Sequence, residues 1–183
     1  KLRRMLDKLT SLKEHNHIRS MHIVCSLDCW GPQQEYIRTG LNLKNWEENF
    51  LTILRDYPNI SLSIHGTLIN LTMQTLPDLC ERITNWKKIR DFDHSIGFGL
   101  GHPEMDAGIF PIGFFDKELS KAIANTTSKN LKSWIDGLRK KINAQPHNNE
   151  DIIKLKDRLD EFDKRRNTNW RELWPWLDKY ECK

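Results

Sequence analysis

Apolar residues open the chain at helical spacing, with Leu2, Met5, Leu6, Leu9 and Leu12 on one face of a helix over residues 1–12. After the polar turn His15-Asn16-His17, the run from Met21 to Leu27 predicts a strand. Gly31-Pro32 breaks the pattern, and the segment up to Gly40 reads as a loop. Leu43, Trp46, Phe50, Ile53, Leu54 and Tyr57 form the next helical stripe, closed by Pro58. Ile60, Leu62 and Ile64 then alternate with Ser61 and Ser63, the period of a second strand. Leu76, Leu79, Cys80, Ile83 and Trp86 carry another helix, and Ile96, Phe98 and Leu100 alternate with Ser95, Gly97 and Gly99 as a third strand.

Strands starting near residues 21, 60 and 94 with one helix in each gap make a β-α-β-α-β unit, hence an α/β fold with a parallel sheet. Beyond 101 the strand signal fades. A loop over 101–115 contains Pro103, Gly108, Pro111 and Gly113. Helices are expected through Leu131–Ile142, Ile152–Phe162 and Trp170–Leu177, with Asn149 as one N-cap and Asn169 with Glu172 as a capping box. The chain thus divides into an α/β part, 1–115, and a helical C-terminal extension, 116–183.

The strand alternation carries functional information. Met21, Ile23, Cys25 and Leu27 share a face with Ile60, Leu62, Ile64, Ile96, Phe98 and Leu100. The other face holds His22, Val24, Ser26, Asp28, Ser61, Ser63, His65, Ser95, Gly97 and Gly99. Parallel strands buried on both faces would be continuously apolar, and a filled barrel interior takes bulky branched side chains. Serine and glycine cannot fill that volume. The expectation is a partial (β/α) barrel with a roomy, ligand-lined lumen; the simpler alternative is an open sheet with one solvated face. In such folds the site lies at the carboxyl ends of the strands. That gathers Ser26 and Asp28, His65 to Thr67, and Gly99 to His102 at one mouth, with Gln33, Gln34, Glu35, Arg38, Asn70, Thr72, Glu104 and Asp106 in the loops around it.

Composition narrows the class. The net charge of +4 is small and both signs are mixed along the chain, so nothing demands nucleic acid or an anionic membrane. No apolar run approaches a membrane span. The N-terminus is amphipathic, unlike a signal peptide, and a chain that opens inside a helix suggests part of something longer. The four cysteines, Cys25, Cys29, Cys80 and Cys182, lack metal-site spacing and read as reduced thiols of a cytoplasmic protein. The Asn-x-Ser/Thr sites at Asn59, Asn70 and Asn125 carry little weight without a secretory signal.

The stretch Ser26-Leu27-Asp28-Cys29-Trp30-Gly31-Pro32, followed by Glu35-Tyr36-Ile37-Arg38-Thr39-Gly40, resembles radical S-adenosylmethionine enzymes, above all members with a SPASM or twitch auxiliary domain. That family shows a Ser-hydrophobic-Asp-Gly stretch ending its fourth barrel strand, then an Arg-Gly pair; here Cys29 stands for Gly, and Thr39 separates Arg38 from Gly40. His65-Gly66-Thr67-Leu68-Ile69-Asn70-Leu71-Thr72, leading to Leu76-Pro77-Asp78-Leu79, is similar to the family's fifth strand and its exit. His94 to Pro103 would be the sixth strand and its loop. The resemblance spans roughly 1–115.

It implies a parent enzyme that cleaves S-adenosylmethionine reductively to a 5′-deoxyadenosyl radical, which abstracts hydrogen from a substrate, a peptide or other biosynthetic intermediate. On the matching positions, Ser26 would hydrogen-bond S-adenosylmethionine, Arg38 would pair with its methionyl carboxylate, and Thr67 and Asn70 would contact it. Asp28, near the substrate side, is the candidate catalytic group. Thr72 takes the place of Asn70 under a slightly shifted alignment. The family's C-x-x-x-C-x-x-C loop for a four-iron, four-sulfur cluster is missing, since Pro32 stands where Cys25-x-x-x-Cys29 would need its third cysteine. The implied reading is the C-terminal half of a catalytic barrel, inactive alone, with the cluster ligands outside this chain.

Blander readings compete. Ser26 and Asp28 also suit a turn cap, and Arg38 could pair with Glu35 on the surface. His22, His65 and His94 raise a metal-dependent hydrolase, though they should fall at opposite rims. A non-catalytic half-barrel binding domain is the remaining alternative. The tryptophans suit helix packing better than base stacking.

Overall fold

The computed structural model describes residues 2–98 and 101–182. Three parallel strands, β1 (His22–Ser26), β2 (Ser61–Leu68) and β3 (Asp93–Phe98), lie in the order β1-β2-β3. Helix α1 (Leu2–Glu14) precedes them; α2 (Pro32–Ile37) and α3 (Leu43–Asp56) connect β1 to β2. A 3-10 turn, Asn70–Thr75, and α4 (Leu76–Lys87) connect β2 to β3. Two short turns, Pro103–Met105 and Ala107–Ile109, lead into α5 (Asp116–Ala124), α6 (Lys129–Asn143), α7 (Asn149–Arg166), α8 (Trp170–Leu173) and α9 (Pro175–Asp178). Gly99 and Leu100, which the alternation assigns to the third strand, lie outside the described residues. Among the described residues no helix is long and apolar enough to cross a membrane.

The hydrophobic pattern misses α2 and α5. Six-residue α2 is too short to show a period; Pro32 at its first turn pre-sets a helical φ. Gly31 ahead of it takes φ 97°, a left-handed value that a side chain would strain. In α5 only Leu119 and Ala122 are buried, too thin a stripe to stand out. The cap of α7 is Asn148, whose side chain accepts from the amides of Glu150 and Asp151, so Asn149 is the first helical residue instead of the cap. Asn169 caps α8, as expected, by accepting the Arg171 N–H, but the expected capping box does not form: its side-chain amide, not its backbone N–H, donates to Glu172, and Trp174-Pro175 ends that helix after one turn.

One face of the sheet is buried and the other is open. Leu62, Ile64, Leu68 and Ile96 join one apolar cluster with Phe50, Ile53 and Leu54 of α3 and Leu79, Cys80 and Ile83 of α4. The cluster continues through Leu119, Ile135, Leu155 and Leu177, so the C-terminal helices share this core. On the opposite face Ser26, His65, Thr67, Ser95 and Gly97 are exposed, and Val24 is 51% exposed. Ser63 is the exception, buried where it shares a 2.9 Å hydrogen bond with His22 Nε2. The fold is α/β with an open three-stranded parallel sheet. Its polar face meets solvent.

Candidate functional site

The carboxyl end of β1 is shaped by a close backbone crossing. Leu27 N–H donates to His65 O at 2.9 Å, the last ladder bond. A Cβ on Gly66 would then stand 2.4 Å from Leu27 O and 3.4 Å from Asp28 Cα. Glycine is required there because the chain leaving β1 lies directly against it. Gly66→Ala is expected to cost about 3 kcal/mol by overpacking, read as a lower denaturant midpoint at unchanged slope. A cost below about 1 kcal/mol would show that the crossing yields freely.

Beyond the crossing, a side chain takes over the ladder. Asp28 Oδ1 accepts the Thr67 N–H at 2.7 Å, where a continuing β1 would have offered a carbonyl. The same carboxylate receives Arg38 side-on: Nε to Oδ2 at 2.6 Å and Nη2 to Oδ1 at 3.0 Å. Asp28 is 4% exposed; the Arg38 side chain is 39% exposed. Arg38 does not pair with Glu35, whose Oε1 accepts the Leu43 N–H at 2.7 Å at the start of α3.

Helix α2 sets this geometry. The buried Gln34 presents Oε1 to the amides of Asp28 and Cys29 at 3.0 and 2.9 Å, which fixes the turn. Arg38 follows four residues later, at the end of the helix, and reaches the Asp28 carboxylate. The outer side of α2 is braced by the C-terminal helices. Tyr36 meets Trp174 edge to face at 5.1 Å and donates to Asp163 Oδ1, and Gln33 Nε2 donates to Leu173 O. Trp174 Nε1 donates to Leu71 O at 2.8 Å, so one indole touches both α2 and the turn after β2.

The other candidates separate into two groups. Ser26 and Thr67 lie exposed on the open face, and their hydroxyls bond to no described residue. Asn70 instead is fully buried. Its Nδ2 donates to Glu104 O at 2.8 Å and Asp106 O at 3.3 Å, which ties the loop after β3 to the exit of β2. Asn70 Oδ1 has no partner among the described residues. Thr72 is equally buried and bonds back to Ile69 through its hydroxyl. Glu104 is held by Arg158 of α7 at 2.6 Å, with His102 beside both. Gln34 and Glu104 were, from sequence, only polar members of loops; no residue pattern marks their roles.

The thiols and imidazoles do not converge. Burial pushes the Cys25 thiol up to about 11, and Cys29 and Cys80 up to about 12, so none offers a thiolate near neutral pH. Among the described residues no three His, Cys, Asp or Glu side chains are grouped to hold a metal ion. His22 is engaged by Ser63, His65 faces solvent, and His94 sits on the helix-facing side of β3. Comparison with protein-family models, curated proteins and solved structures finds no match to this chain.

Proposed function

We propose that this chain forms the S-adenosylmethionine-facing part of a radical S-adenosylmethionine type partial barrel, with the ligand lying across the open sheet face at the carboxyl ends of β1 and β2. The observation that carries the reading is the gathering of the exposed, unengaged Ser26 and Thr67 hydroxyls with the half-exposed Arg38 at that mouth. Ser26 and Thr67 offer donors to ribose or amino-acid oxygens. Arg38 spends Nε and Nη2 on Asp28, which leaves the Nη1 edge for a ligand carboxylate. Asp28 acts through Arg38 and is a positioning residue in this reading; Asn70 positions the loop after β3.

The iron-sulfur cluster does not fit this chain: Pro32 stands where its loop needs a third cysteine, and among the described residues no three metal-binding side chains are grouped. A cluster held elsewhere in the proposed parent would supply the reducing electron for S-adenosylmethionine cleavage; the residues here bind and orient the ligand. Titration of isotopically labelled protein with S-adenosylmethionine tests this. The expected result is saturable shifting of the Ser26 and Thr67 amide signals, weakened about tenfold by Arg38→Ala. Incubation with ferrous iron and sulfide without oxygen should leave no iron on the desalted chain, and no cleavage of S-adenosylmethionine. Unmoved signals at millimolar ligand would overturn the binding reading, and retained iron would overturn the placement of the cluster outside the chain.

A further inference from the structure

The register of the sheet decides which backbone groups of its outer strands are free. Ser61 N–H donates to Met21 O, and Leu27 N–H donates to His65 O. In a parallel ladder both groups of one residue point the same way. The odd-numbered residues of β2 therefore bond to β1, and its even-numbered residues bond to β3. With Ile64 opposite His94 and Gly66 opposite Ile96, the β3 residues bonded to β2 are Asp93, Ser95 and Gly97. The N–H and C=O groups of His94 and Ile96 point away from the sheet, and no described residue receives them.

Beside this edge lies a hollow of about 460 Å³. One wall is β3 itself; the other is the first turns of α6, with Leu131 and Trp134. Leu131 and Ile96 are core residues that reach the hollow's floor. Its rim carries Lys87, Asp91 and Asp93. Lys87 is paired with Asp91 at 2.8 Å, which leaves the exposed Asp93 as the excess charge. Burial and the Lys87 charge lower the His94 pKa below the ordinary imidazole value, so it is neutral at pH 7 and does not offset Asp93.

We propose that the groove between β3 and α6 binds an extended peptide segment, which adds as a strand to the free edge at His94 and Ile96. Main-chain hydrogen bonds to these two residues supply register. Alternate side chains then separate by face. Those on the helix side enter the hollow against Ile96, Leu131 and Trp134 and should be apolar. Those on the open side pass Asp93 and should include a lysine or arginine. The outward groups of His22, Val24 and Ser26 leave the edge of β1 equally unpaired among the described residues; the hollow that would select side chains here is the one beside β3. This inference stands on β3 and α6 and is independent of ligand binding at Ser26 and Thr67.

An acetylated and amidated peptide of alternating valine and lysine tests it against the whole chain, with a valine-glutamate peptide as control. The valine-lysine peptide should slow amide hydrogen exchange at His94 and Ile96 and shift the Leu131 and Trp134 signals, leaving Ser26 and Thr67 unmoved. His94→Pro removes the outward N–H while the ladder through Asp93, Ser95 and Gly97 stays intact, and should weaken binding at least about tenfold. Asp93→Lys should reverse the preference toward the glutamate peptide. Unchanged exchange at His94 and Ile96 in the unsubstituted chain at millimolar peptide overturns the proposal, and so does undiminished binding by a folded His94→Pro variant. Because the exchange reading needs no substitution, a variant that fails to fold leaves the test intact.

Discussion

Replacing Trp174 by alanine is expected to lower the unfolding free energy by about 4 kcal/mol. The indole is fully buried, so its removal leaves a large void beside Tyr36 and Leu71 unless the surroundings collapse. The loss also strips the Leu71 carbonyl of its donor. Because the same ring contacts α2, the damage should reach the site: the Arg38 Nε signal should broaden or move along with the global destabilisation. Trp174→Phe separates the two contributions. It keeps most of the volume and should cost about 1–2 kcal/mol for the hydrogen bond and residual gap. Urea unfolding of the three proteins gives both numbers. An alanine variant within about 1 kcal/mol of the parent would show that the C-terminal helices do not brace α2.

Asp28→Ala should be the most damaging polar substitution, at about 2–3 kcal/mol. It orphans the Thr67 amide and removes both partners of the Arg38 fork. The cost stays below that of a fully enclosed ion pair because Arg38 can turn to solvent. Asp28→Asn retains an acceptor for Thr67 but sets an amide N–H₂ against the guanidinium, and should cost about half as much. Thermal unfolding of Asp28→Ala, Arg38→Ala and the double variant makes a cycle. The double variant should be destabilised by less than the sum of the singles. Strict additivity would mean that the two side chains act separately.

The sheet was readable because two-residue alternation survives in short strands: Leu62 and Ile64 against Ser61 and Ser63, Ile96 against Ser95 and Gly97. The same alternation placed Ser26 on the polar face and Cys25 opposite, as the exposures show. What stayed hidden was tertiary. Asp28 and Arg38 are ten residues apart, and only a helix too short to have a period brings them together. The family pattern makes the Asn70 amide a ligand contact, whereas in the fold it faces a loop more than thirty residues downstream. Gly66 carries no local turn signal; its constraint comes from Leu27 of another strand. Whether polar strand residues line a lumen or meet water depends on what covers them, and alternation is the same in both cases.

The indole that closes the back of the site comes 103 residues after the carbonyl it holds. Contacts of such separation form late, because the entropy of closing the intervening chain is lost before they are gained. During synthesis β1, α2 and β2 therefore leave the ribosome long before Trp174 exists. Until then α2 has a six-residue length and no outer support, and the turn at Leu71 has an unpaired carbonyl. Asp28 and Arg38 should reach their final geometry only in the closing step of folding. A pulse-labelling experiment should find the Thr67 amide among the last in the sheet to become protected.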